Sequence, residues 1–178
     1  MRRLIPVLLC VLMLGCGSDE PVSSESAETE AAETEAESGP PEIERPYDES
    51  ADAQEQIDAA VASAGNDQKR VLLMFGANWC EWCRRLDWVF QNQPEVSSVI
   101  DEGYHLVHVD VGPRGSSTNR QVAVRYGDPL SNGLPCLVVL DDEGGVAHVQ
   151  ETGSLEEGDH HDPALVLAFL RQWRDGQG

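Results

Sequence analysis

Val71-Leu72-Leu73-Met74-Phe75-Gly76-Ala77-Asn78-Trp79-Cys80-Glu81-Trp82-Cys83 reads as a buried strand that runs into a turn and then into the first turn of a helix. The run Val71 to Phe75 is apolar without alternation, the pattern of a strand covered on both faces, and Gly76-Ala77-Asn78 interrupts it. From Glu81 to Gln91, Leu86, Val89 and Phe90 recur at helical spacing, so Cys80 and Cys83 fall at or just inside a helix N-terminus. Unpaired N–H groups and the positive end of the helix dipole stabilise a thiolate there, and the thiolate is the reactive form of cysteine. A redox-active dithiol is the first candidate. Cys80, first on the helix and least shielded, would be the nucleophile, and Cys83, one turn in, would resolve the mixed disulfide. Two other uses of the pair stay open: a permanent stabilising bridge, and metal binding with Cys136 or a histidine as a further ligand. Zinc asks for four well-placed ligands, and the chain offers a single CxxC with no second ligand pair. No metal or other cofactor is therefore assigned.

The elements around this stretch alternate. Ala51 to Ala64 carries Ile57, Ala60, Val61 and Ala64 on one helical face, and Gly65-Asn66 should stop it. Pro94 opens a shorter helix through Ile100, closed at Gly103, and Tyr104 to Val111 is a second strand. A loop from Gly112 to Ser117 leads to a helix from Thr118 to Tyr126, capped by Gly127. Cys136 to Leu140 is an apolar strand, Asp141 to Gly145 a hairpin turn into Val146 to Glu151, and Asp162-Pro163 starts a last helix with Leu165, Val166, Phe169, Leu170 and Trp173. Such an order predicts an α/β fold in which parallel strands are joined by helical crossovers and the last hairpin adds an antiparallel edge. His105 and His108 differ by three along a strand and point to opposite faces, His160-His161 reads as a solvated turn, and Arg84, Arg85 and Asp87 read as the exposed face of their helix.

The N-terminal part has a different character. Met1-Arg2-Arg3, the apolar run Leu4 to Leu14 and then Gly15-Cys16 have the form of an export signal over residues 1–16, too short to span a bilayer. The cysteine directly after the apolar run resembles the lipobox of bacterial lipoproteins and marks Cys16 as the lipidation site, although Leu14 is bulkier than that motif favours. Residues 17–50 hold 12 acids against Arg45 alone and almost no apolar side chains, which predicts a disordered acidic tether. Those 34 residues would span about 30 Å as a flexible chain. The folding domain is then 51–178. With a formal net charge of −20, nucleic acid and anionic membrane surfaces are poor partners for the domain. Only Cys80, Cys83 and Cys136 fall in the domain, too few for a disulfide-stapled scaffold.

Three features coincide in the domain: a tryptophan directly before CxxC, the strand-to-helix placement, and a proline, Pro135, at the start of the later apolar strand. Together they resemble the thioredoxin-like superfamily over about Ala51 to Arg174, and the phrase Gly76 to Leu86 followed by Pro94-Glu95-Val96 is similar to its exported bacterial members. The resemblance implies a central mixed β-sheet flanked by helices and a thiol–disulfide oxidoreductase acting on disulfides or thiols of exported proteins. It further implies a lipid-anchored, periplasm-facing place in a bacterial envelope and a membrane electron donor if the protein works as a reductase. In that family the proline is cis and faces the dithiol, so the backbone of Leu134 would pair with an extended peptide. Trp79 and Trp82 would add an apolar contact surface, and Cys136, next to the proline, is a candidate third thiol. The family's buried acid below the dithiol is replaced here by Met74, and its Gly-Pro dipeptide by Glu81-Trp82.

Overall fold

The computed structural model describes residues 45–174, and the expected export signal, Cys16 and most of the acidic tether lie outside them. A four-stranded sheet organises the rest, built from β1 (Arg70–Gly76), β2 (Tyr104–Asp110), β3 (Cys136–Leu140) and β4 (Val146–Glu151) in the order β2-β1-β3-β4. α1 (Ala53–Asp67) and α4 (Arg120–Arg125) cover one face. The other face carries α2 (Glu81–Asn92), α3 (Pro94–Gly103) and α5 (Pro163–Arg174). Alternation along β1 divides its side chains: Val71, Leu73 and Phe75 pack toward α1, Leu72 and Met74 toward α2. All five are completely buried, which is why the sequence shows no polar alternation there. Each contributes about 1.5–3 kcal/mol by leaving water.

Only part of the expected crossover pattern is realised. β1 and β2 are parallel, but β3 runs antiparallel to β1 and pairs with β4 as a second antiparallel neighbour. The connection between β2 and β3 holds α4, of six residues, and a short 3-10 turn at Pro129–Asn132 that the sequence did not announce, and it brings the chain back to the end of the sheet where it left. β3 therefore starts at the end where β2 finishes. α4 itself begins later than Thr118 because Asn119 takes a left-handed conformation and donates its side-chain amide to the carbonyl of Asp110 at 2.8 Å. α1 runs past Gly65-Asn66: Asn66 donates back to the carbonyl of Ala62 at 2.7 Å, and Gln68, left-handed at φ 63°, ends the helix instead.

Residues 45–50, counted with the acidic tether by composition, are packed against the domain. Tyr47 is 3% exposed, and its backbone is held from both sides by the side chain of Asn78, which accepts from Tyr47 N–H at 3.1 Å and donates to its carbonyl at 2.8 Å. Its ring end fills the space above Gly76. A Cβ added to Gly76 would lie against Tyr47 Oη, 2.7 Å from its Cζ and 2.8 Å from Cys83 Sγ. A further departure follows β4. Glu156–Glu157 and His160–His161 form a small antiparallel hairpin, β5 and β6, and His161 is 1% exposed rather than part of a solvated turn.

Since Gly76 is where strand, ring and sulfur meet, Gly76→Ala should destabilise the oxidised protein by about 1–3 kcal/mol through overpacking. Urea unfolding measures it, and an unchanged midpoint would refute the assignment of that space to Tyr47.

Candidate active site

Cys80 is the N-cap of α2, and its Sγ accepts the N–H of Cys83 at 3.2 Å. The two cysteines are joined in a disulfide with their Cα atoms 5.2 Å apart. Their surroundings differ. Cys80 sits at the rim, 7% exposed, and Cys83 is fully enclosed. A thiolate on Cys80 therefore meets a backbone donor and the positive end of the helix, whereas one on Cys83 would face the apolar core. The charge of Glu81 beside Cys80 is met by Arg85, which pairs with it one turn on.

The Leu134-Pro135 peptide bond is cis, as the resemblance implied. Leu134 is partly buried against the core cluster that contains Cys80 and Cys83. The carbonyl of Pro135 accepts from Thr152 Oγ1 at 2.8 Å, and Thr152 is itself buried. The two tryptophans part company. Trp79 is 37% exposed, with its Nε1 donating to the Gly112 carbonyl at 2.7 Å and Arg114 stacked 4.0 Å above its ring. Trp82 is half-buried, edge-on to His161 at 5.4 Å. Trp79 leaves part of its ring in solvent, whereas Trp82 lies between α2 and the β5–β6 hairpin.

Cys136 has the same strand parity as Val138 and Leu140, which pack toward α1, on the sheet face opposite α2. It is fully buried and donates to the Gln150 carbonyl at 3.1 Å. Burial, helped by the charge of Glu151, pushes its thiol up to about 11 despite an opposing hydrogen bond from Asn132. This is a satisfied core thiol rather than a reactive one.

Several groups near the dithiol were not singled out from sequence. Asp87, expected on the exposed face of its helix, is 2% exposed and bonded to His108 Nε2 at 2.7 Å and Gln91 Nε2 at 2.6 Å. His108 stands next to Met74 in the β1–β2 register, so an imidazole–carboxylate pair from the neighbouring strand and helix lies beside the position where the resembled family keeps its acid. Tyr47 packs edge-on against His108 at 5.4 Å. His105 pairs with Asp67 instead, so the two strand histidines do serve opposite faces. On the outer side of α2, a pocket of about 360 Å³ is lined by Arg85, Trp88, Val89, His160, His161 and Pro163, and Arg85 reaches across to the Asp159 carbonyl. Among the described residues no three His, Cys, Asp or Glu side chains gather into a metal site.

With this geometry in view, the thioredoxin-like family profile matches residues 52–142. Among solved structures, a disulphide isomerase from Xylella fastidiosa Temecula1 is 34% identical, with a TM-score of 0.65 over 73% of this chain and 97% of that one. More distant are a thioredoxin-fold protein from Helicobacter pylori, at 23% identity and TM-score 0.47 over 63% and 72% of the two chains, and the oxidised C-terminal domain of Neisseria meningitidis DsbD, at 20% and 0.48 over 68% and 96%. No curated protein sequence matches the chain.

His161 gives the region a pH dependence. Burial, then the positive charges of Arg85 and His160, lower its pKa from 6.5 to about 4, while Glu156 Oε1 lies 3.6 Å from its Nε2. Between those two values the unfolded chain binds a proton that the folded one refuses, so stability rises with pH across the window. Folding stability should accordingly fall as pH drops from 6.5 toward about 4. His161→Phe should flatten that part of the profile; urea unfolding at a series of pH values, giving parallel curves for both proteins, would count against a neutral buried imidazole.

Proposed function

The chain belongs to the thioredoxin-like family, and from that premise we propose that it is a thiol–disulfide oxidoreductase acting on exported proteins through Cys80 and Cys83. The observation that carries this reading is the unequal burial of the two joined sulfurs at the start of α2. A substrate thiolate attacks Cys80, the sulfur at the rim; a bond forms between substrate and Cys80, and Cys83 leaves as a thiolate. In the opposite direction Cys83 attacks the mixed disulfide and expels the substrate thiolate. Trp79, Leu134 and Pro135 form the contact surface for an extended segment of substrate, with Trp82 supporting the helix start from behind. Cys136 takes no part in the exchange.

The N-terminal segment supports a place for this chemistry outside the cytoplasm. An export signal over residues 1–16 ends at Cys16, which we assign as the lipid-modified residue, and the acidic stretch that follows acts as a spacer between the membrane and the domain. No helix among the described residues is long and apolar enough to cross a membrane. In an oxidising compartment the direction of exchange depends on whether a membrane donor keeps the pair reduced. The other reading of the same fold, a module that holds a metal ion or a protein without turnover, has no observation that favours it.

Catalysed exchange on a model protein disulfide is expected, lost by more than about a hundredfold in Cys80→Ser, whose remaining thiol cannot complete the cycle. Cys136→Ser should retain both rate and midpoint potential. Tight stoichiometric metal retention without exchange would sink the enzymatic reading in favour of the binding module. In a bacterial host, Cys16→Ser should move the protein from the membrane fraction to the soluble one; an unchanged distribution would remove the lipid anchor.

A further inference from the structure

Exchange at Cys80 requires Cys83 to carry a negative charge in a place without water. When a substrate thiolate attacks Cys80 Sγ, a new S–S bond forms there, the Cys80–Cys83 bond breaks, and its electron pair stays on Cys83. Cys83 is fully enclosed, in a cluster with Met74, Leu86 and Leu137. An apolar enclosure disfavours the charged form of any buried group that has no hydrogen-bond partner.

One polar atom shares the space of that sulfur. Tyr47 Oη and Cys83 Sγ both crowd the point where a Gly76 Cβ would sit, the sulfur at 2.8 Å and the hydroxyl closer than the 2.7 Å of Tyr47 Cζ, so the two are less than 5.5 Å apart. In the disulfide form this hydroxyl is buried and has no hydrogen-bond partner. A buried, unpaired donor is costly, and it is explained if its acceptor appears only when the disulfide opens. We propose that Tyr47 donates a hydrogen bond to the Cys83 thiolate as it forms, stabilising the leaving group of the exchange; the proposal rests on the oxidoreductase reading of Cys80 and Cys83.

The surroundings suit a donor and exclude a base. Burial, and after it the carboxylates of Asp87 and Asp110, hold the Tyr47 hydroxyl well above its ordinary pKa, so it keeps its proton throughout the neutral range. The ring is braced: edge-on against His108 at 5.4 Å, with His108 fixed by Asp87 at 2.7 Å, while Asn78 holds the Tyr47 backbone. No proton changes owner in the step. The thiolate gains a partner, and in the reverse direction the same hydrogen bond favours the ionised Cys83 that must attack the mixed disulfide.

Tyr47→Phe tests this because it keeps the ring and removes only the hydroxyl. In the oxidised protein nothing is lost, so the urea midpoint should hold or rise slightly. Opening of the disulfide by dithiothreitol at fixed pH should slow about tenfold, and in a Cys80→Ser, Cys136→Ala background the ionisation of Cys83, followed by thiolate ultraviolet absorbance, should move up by about one pH unit. Unchanged rate and unchanged ionisation overturn the proposal, and a lower urea midpoint with unchanged ionisation assigns Tyr47 to packing alone and overturns it as well. Absence of exchange by the unaltered protein on protein substrates would instead defeat the oxidoreductase reading, while the ionisation readout, which needs no substrate, would still judge Tyr47.

Discussion

α2 begins where β1 ends, and the two are packed so closely that one cysteine of the CxxC lies inside the protein and the other at its rim. A helix advances about 1.5 Å per residue and turns about 100° with each, so three residues carry the chain from the cap at Cys80 to the inward face at Cys83. Gly76 permits the approach by presenting no side chain. Two chemically identical sulfurs thus acquire different surroundings, one at the rim and met by a backbone N–H at the helix start, the other enclosed. The sheet beneath, with β1 buried on both faces, is what keeps that depth fixed.

Much of this was legible in the sequence, for reasons that can be named. β1, α2 and α5 declare themselves because their apolar residues follow the period of the element that buries them, and the helix-capping place of Cys80 follows from those periods. Strand direction was less accessible: nothing within Cys136 to Leu140 says which way it runs, and a connection as long as the one from Asp110 to Cys136 permits either direction. Asp87 was misread because a charged residue on an amphipathic helix is usually solvated, and the partner that justifies its burial, His108, is 21 residues away. His161 was misread in the same way, since its burial depends on Trp82 and on a hairpin too short to show a pattern. Tyr47 was lost in the composition of its neighbours. In a stretch otherwise made of acids and small polar residues, the aromatic ring after Pro46 was the one local sign that the chain had something to bury.

The chain carries a large excess of acid, yet two arginines stand at the rim of the dithiol. Arg85 neutralises Glu81 and reaches the Asp159 carbonyl, and Arg114 covers Trp79. Arg85 in this way ties the helix that bears the cysteines to the β5–β6 hairpin, beside the edge-on contact of Trp82 with His161, since that hairpin shares no sheet with β1–β4. A long flexible cation suits such a place, because its planar head can serve two acceptors and still face the ring of Trp82, 5.4 Å from its centroid.

The docking of Tyr47 also bears on where the domain begins. A chain cut to start at Ala51 would retain every helix and strand and would pass for the same fold by outline. It would nevertheless lack the ring above Gly76 and the backbone partner of Asn78, leaving a vacancy of aromatic size beside the inner sulfur. A space so close to polar groups admits water, and a hydrated Cys83 is a different electrochemical object from an enclosed one. Midpoint potentials and thiol acidities obtained on such a fragment would describe a wetter centre than the one the whole protein possesses.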